Sequence, residues 1–107
     1  MSLRPTLVAL LDARISSLPG VERKRSRWGL MTAYCVRGRE IAHFQHDNEM
    51  DIRLTRLYQR QLVKTLSGDF LVRLRPKPSE WVWVRFSTRR DTDFVIELVK
   101  QAVKANR

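Results

Sequence analysis

Residues 31–54 read MTAYCVRGREIAHFQHDNEMDIRL, three short runs of strand-forming residues set apart by the pairs Arg37-Gly38 and Asp47-Asn48. Both pairs suit tight hairpin connections. The stretch therefore predicts three antiparallel strands, over Met31 to Val36, Glu40 to Gln45 and Glu49 to Leu54. With Asp47-Asn48 as a two-residue turn, pairing counted outward sets His46 opposite Glu49, His43 opposite Ile52 and Ile41 opposite Leu54. Because side chains alternate, Ile41, His43, Met50, Ile52 and Leu54 are expected on one face. Ala42, Phe44, His46, Glu49, Asp51 and Arg53 are expected on the other.

Upstream, Val21 to Trp28 reads as a polar strand, with Arg23, Arg25 and Arg27 on one side and Glu22, Lys24 and Ser26 on the other. So charged a strand belongs at a sheet edge, where it discourages pairing with other chains. Leu7, Leu11, Ile15 and Leu18 recur at helical spacing before Pro19-Gly20 and predict a helix over 4–18. Downstream, Thr55 is a good helix cap, and Tyr58, Leu62 and Leu66 form an apolar stripe ending at Ser67-Gly68, which predicts a helix over 56–66. Phe70 to Arg75 and Trp81 to Phe86 follow as a strand pair joined by a proline-bearing loop. A final helix over 91–104 turns Phe94, Val95, Leu98, Val99 and Ala102 inward. Its Asp91 and Asp93 lie at the start and Lys100 and Lys104 near the end, as the helix dipole favours. The expected fold is α+β, in the order α-β-β-β-β-α-β-β-α. Three helices cover one face of a mainly antiparallel sheet of about six strands, and one domain spans 1–107.

The chain has 107 residues, 43% hydrophobic and 30% charged, which suits one soluble globular domain. Its uncharged runs fall short of the roughly 20 apolar residues of a membrane span. Asp12 and Arg14 interrupt the first apolar stretch, so no secretory signal is read and a cytoplasmic location is expected. The single Cys35 cannot form an internal disulfide or anchor a zinc site. Charge is more informative: 21 Lys+Arg against 11 Asp+Glu give +10, and 16 of the 21 are arginine. Guanidinium groups bind phosphate and carboxylate in a bidentate fashion and stack on aromatic rings.

Two groups of residues could use that charge. Along the last strand Val82, Val84 and Phe86 point one way, and Trp81, Trp83 and Arg85 the other. The preceding strand directs Phe70, Val72 and Leu74 toward the core and sets Leu71, Arg73 and Arg75 beside the tryptophans. An Arg-Trp surface, extended by Phe44, is expected on the face away from the helices. It suits a single-strand nucleic-acid platform, a homodimer interface, or arginines lying on their own tryptophans. The second group, Arg23, Lys24, Arg25, Arg27, Arg37 and Arg39, reads as a wing able to clamp a phosphate backbone or as a charge-protected edge.

His43 and His46, with Asp47, Glu49 and Asp51, form the one cluster resembling a metal or acid-base site. Residues three apart on a strand face opposite sides, so the two histidines converge on one ion only if the hairpin end bends. His43 is expected as a half-buried core residue with at most a small-molecule pocket beside it, and Cys35 as an inert core thiol. No nucleophilic triad or glycine-rich phosphate loop is present, and no metal or cofactor is expected.

Arg27-Trp28-Gly29, Arg39-Glu40-Ile41-Ala42-His43, Asp51-Ile52, Trp81-Val82 through Arg85-Phe86 and the closing helix together resemble the small bacterial luciferase-domain proteins. The Gly-Arg-Glu-Ile-Ala-His stretch at 38–43 is the most specific part. Members often carry a second histidine two positions after the first; here Gln45 stands there and His46 follows. The resemblance implies no established reaction and transfers no catalytic residue, and a flavin-dependent light-emitting barrel needs about 250 residues. The element order also resembles double-wing DNA-binding domains, in which hairpins flank a helical layer. The expected function is a non-enzymatic binding module for an anionic partner, nucleic acid foremost. A homodimerising interaction domain and a small-molecule enzyme or carrier with a pocket near His43 are the alternatives.

Overall fold

The first helix, α1 (Leu7–Ser16), starts where the Thr6 hydroxyl accepts the Ala9 amide at 3.0 Å, and the chain turns away at Gly20 with φ 84°. The computed structural model describes residues 6–25, 31–65 and 72–107. Arg27, Trp28 and Gly29, and likewise Ser26, Leu66, Ser67, Gly68, Phe70 and Leu71, lie outside the described residues. After α1 come β1 (Val21–Arg25), β2 (Thr32–Val36), β3 (Arg39–His46), β4 (Glu49–Arg53), α2 (Arg56–Thr65), β5 (Val72–Leu74), β6 (Trp81–Arg85) and α3 (Arg89–Ala105). Class and element order are those read from the sequence. No helix among the described residues is long and apolar enough to cross a membrane.

The six strands lie in the order β1-β2-β3-β4-β6-β5, with each neighbouring pair antiparallel. β6 therefore sits inside the sheet, where Val82 pairs with Ile52 and Val84 with Met50. Its valines are buried on the face covered by α1 and α3. Leu11 and Ile15 of α1, Val95, Leu98, Val99 and Ala102 of α3, and Leu62 of α2 meet Tyr34, Phe44, Ile52 and Phe86 in one core. Phe44 stands edge-on to Tyr34 at 6.0 Å and to Phe86 at 6.4 Å between ring centroids.

Tyr34 carries a hydroxyl into this core and needs a partner for it. The hydroxyl donates to Asp12 Oδ1 of α1 at 2.7 Å, and Arg23 Nε of β1 donates to the same oxygen at 2.8 Å. Burial, reinforced by the Asp12 bond, pushes the Tyr34 phenol far up. Burial also raises the Asp12 carboxyl, but its bonds from Tyr34 and Arg23 outweigh that effect and hold it below the usual range. Arg23 is thereby fixed on the helix side of the sheet.

The two hairpins differ in a way that decides the far face. At Arg37-Gly38 both residues have positive φ, 53° and 79°, the turn whose twist matches the flanking strands. Asp47 and Asn48 have no positive φ, so that turn is not of the mirror-image kind and splays the strands it joins. A bulge takes up the mismatch: His46 pairs with Glu49 as expected, but Phe44 then pairs with Met50, leaving Gln45 unpaired. This corrects the alternation read from the sequence. Phe44 and Ala42 point into the core with Met50 and Ile52, while His43 pairs with Asp51 on the far face. A second bulge interrupts the pairing with β2: Tyr34 meets Ala42 and Cys35 meets Glu40, so Ile41 is the extra residue.

The last helix shows how strongly a terminus is specified. The Thr88 hydroxyl accepts the Asp91 amide at 3.1 Å, and Asp91 Oδ2 accepts the Thr88 and Ser87 amides at 3.1 and 2.8 Å. The bonds from Ser87, chiefly its amide, together with those from Thr88 outweigh partial burial and lower the Asp91 pKa. A lowered folded pKa contributes stability at and above the ordinary carboxylate range, and that stability disappears as pH falls through the folded value. Asp91→Ala is expected to cost about 1 kcal/mol at neutral pH. In acid its unfolding midpoint, followed by circular dichroism, should converge on that of the unaltered protein.

A charged network beneath two tryptophans

On the far face the strands carry short and long side chains in rows. One row runs from Lys24 through Ala33, His43, Asp51 and Trp83 to Arg73, and the next brings Cys35 beside Glu40 and Arg53 beside Trp81. The bulge at Ile41 puts Glu40 and His43, three residues apart, on the same side. His43 Nδ1 lies 3.1 Å from Glu40 Oε2 and Nε2 lies 3.1 Å from Asp51 Oδ2. The same Asp51 oxygen accepts from Gln45 Nε2 at 3.2 Å and from Arg75 Nη2 at 2.7 Å. Each imidazole nitrogen thus faces a carboxylate oxygen, and the Arg75 guanidinium gives Asp51 the partner that a carboxylate at such depth requires. The Asp51 side chain is 2% exposed and that of Arg75 32%.

The tryptophans roof this network. The His43 and Trp81 rings are 5.2 Å apart, and the Arg75 guanidinium lies 5.1 Å from the centre of the Trp83 ring. Both tryptophans are half-buried. Asp51 Oδ1 and Arg75 Nε are buried without a hydrogen-bond partner. Adjoining the network is a hollow of about 350 Å³, walled by Trp81 and bordered by Lys24, Arg25, Arg39 and Arg53. The small Cys35 side chain and the Gly38 backbone line it, and Glu40 is its one acidic wall. Among the described residues no group of three histidine, cysteine or carboxylate side chains is arranged to hold a metal ion.

The basic and aromatic residues singled out from the sequence fall into separate places. Trp81, Trp83, Arg73, Arg75 and Arg85 share the far face, Arg73 opposite Trp83 and Arg85 3.8 Å from Glu49. Arg25 and Arg39 border the hollow, and Arg39 Nη1 also donates to Asn106 Oδ1 at 3.3 Å. Arg37 is exposed in its turn, Arg23 is tied to Asp12 on the opposite face, and Arg27 lies outside the described residues. His43 is buried, but on the far face and not among the helix-side core; Phe44, expected to extend the Arg-Trp surface, is in that core. Sequence reasoning missed Glu40, Gln45 and Arg53, and it grouped Asp51 with His43 but set the two on opposite faces. Asp51 inside a strand was the signal of a network there, since a carboxylate in a central strand is rare without a partner.

Fold and site define a two-layer α+β domain whose uncovered sheet face joins a buried ion network to a basic, tryptophan-walled hollow. The family model described as the luciferase domain matches residues 38–102. That is more than half of the chain, and the protein belongs to this family. The matched span runs from the Gly38 turn into α3 and takes in His43, Asp51, Arg75 and both tryptophans. No curated protein matches the sequence.

Proposed function

We propose that the far face of the sheet is a binding surface for single-stranded nucleic acid. The reading is carried by the placement of half-buried Trp81 and Trp83 among Arg53, Arg73, Arg75 and Arg85 on one sheet face. Indole rings stack on bases of any identity, and guanidinium groups neutralise phosphates; the two together make a sequence-tolerant platform. Arg73 forms no ion pair among the described residues and is available to a phosphate without breaking a bond. The net charge of +10 adds a long-range field that draws a polyanion in. The setting is cytoplasmic, where a lone thiol such as Cys35 stays reduced.

The test is a titration of tryptophan fluorescence with an oligothymidine at two salt concentrations. Affinity should fall steeply with salt, Arg73→Gln should lower the salt slope by about 1, and Trp83→Ala should cost about 1–3 kcal/mol of binding. Binding that ignores salt, or none, removes the reading. Light scattering run alongside separates the competing case: a dimer that Trp83→Ala dissociates assigns this face to self-association.

A further inference from the structure

We infer that the hollow beside Trp81 is a subsite for a nucleoside monophosphate, either free or as the phosphorylated end of a strand. The inference rests on the reading of the far face as an anion-binding surface and names what its deepest part recognises. Charge comes first. Lys24, Arg25, Arg39 and Arg53 border the hollow against one carboxylate, Glu40, whose charge is engaged by His43 Nδ1 at 3.1 Å. An internal phosphodiester carries one negative charge, whereas a phosphate monoester carries about −1.5 to −2 at neutral pH. Lys24 also lies 3.6 Å from Glu22 and Arg53 2.7 Å from Glu80, so the cations at the hollow suit the more strongly charged monoester, which can draw them from those exposed carboxylates.

One guanidinium is also pre-oriented. Arg53 donates from Nε at 3.1 Å and from Nη2 at 2.7 Å to the same oxygen of Glu80, and its other terminal nitrogen makes no hydrogen bond among the described residues. Arg39 instead reaches Asn106 at the end of α3, on the helix side. Side chains already held in place lose less entropy when a ligand arrives. The wall and floor match the remainder of the ligand. Trp81 offers a surface for a planar base, and Cys35 and Gly38 leave room at the floor. Glu40 Oε1, which makes no hydrogen bond among the described residues and is not buried away from solvent, can accept from a sugar hydroxyl. The volume of about 350 Å³ lies at the low end of small-molecule sites, the size class of one nucleotide unit.

Calorimetric titration of the full chain with adenosine monophosphate, adenosine and inorganic phosphate tests this. One adenosine monophosphate should bind per chain, about tenfold or more tighter than either fragment. Lys24→Gln and Arg53→Gln should each weaken it about tenfold, with Arg90→Gln, exposed at the start of α3, unchanged. Lys24 is exposed at the sheet edge, so its variant folds whatever becomes of Arg53. The inference is overturned if adenosine monophosphate binds no better than adenosine, or if both hollow variants bind it as the unaltered protein does. Competition then separates the sources. Displacement by an oligonucleotide with a terminal phosphate, and not by its unphosphorylated twin, assigns the site to strand ends; displacement by neither assigns it to the free nucleotide. An unphosphorylated oligonucleotide that binds while adenosine monophosphate does not overturns the subsite and leaves the surface standing. The reverse pattern removes the surface and leaves the subsite.

Discussion

Asp51→Ala is expected to lower the unfolding free energy by about 3–5 kcal/mol, the largest effect of any single charged residue in this protein. Asp51 Oδ2 accepts from His43, Gln45 and Arg75 together, and its side chain is 2% exposed. Removing it strands an imidazole and a guanidinium that were desolvated to meet it. A leftover charge inside a fold costs more than the pair contributed. Arg75 is less deeply placed and regains some water when released, so the smaller values in that range apply if its side chain swings outward. Denaturant unfolding gives the direct measure. The double variant Asp51→Ala with Arg75→Ala should recover part of the loss, because neither partner is then left alone. A loss of 1 kcal/mol or less for Asp51→Ala would mean that the network contributes little to holding the far face together.

Phe86→Ala should cost about 3–5 kcal/mol by a different route. Phe86 is 0% exposed, lies edge-on to Phe44 at 6.4 Å, and is pinned at its backbone, where its N–H donates to the Asn48 carbonyl oxygen at 2.9 Å. Its backbone is tied to the β3–β4 turn, so the chain cannot collapse into the space the ring leaves. For a domain of this size the loss corresponds to roughly 4–8 °C in melting temperature for each kcal/mol. Phe94, half-buried on α3, should cost distinctly less when cut to alanine, and a differential-scanning comparison of the two checks that depth governs the effect.

The helices and the last strand were legible because their signals are local. Thr55 caps a helix, Pro19-Gly20 stops one, and the Trp-Val alternation of 81–84 needs no partner to be read; Thr6 and Thr88, which cap the other two helices, were not read as caps. The facing of side chains along β3 was not legible, since a bulge leaves no mark in composition. Gln45 and Ile41 look like ordinary strand residues, and only the negative φ of the Asp47-Asn48 turn and the pairing with β2 make them extra. That one unseen step moved His43 away from the hydrophobic side and joined it to Glu40 and Asp51. Arg23 was misjudged for a related reason: alternation told which side it takes, while its tie to Asp12 depends on where α1 crosses β1.

The two extra residues of β3 act in opposite senses on the phase of a single strand. Gln45 reverses the in-out order of everything before it, and Ile41 restores that order for Glu40 and Arg39. Between them lies a three-residue window in which an interior strand of a hydrophobic sheet can lodge an ionisable group without surrendering an apolar position. A one-residue deletion at 41 or 45 would close that window and turn the strand inside out.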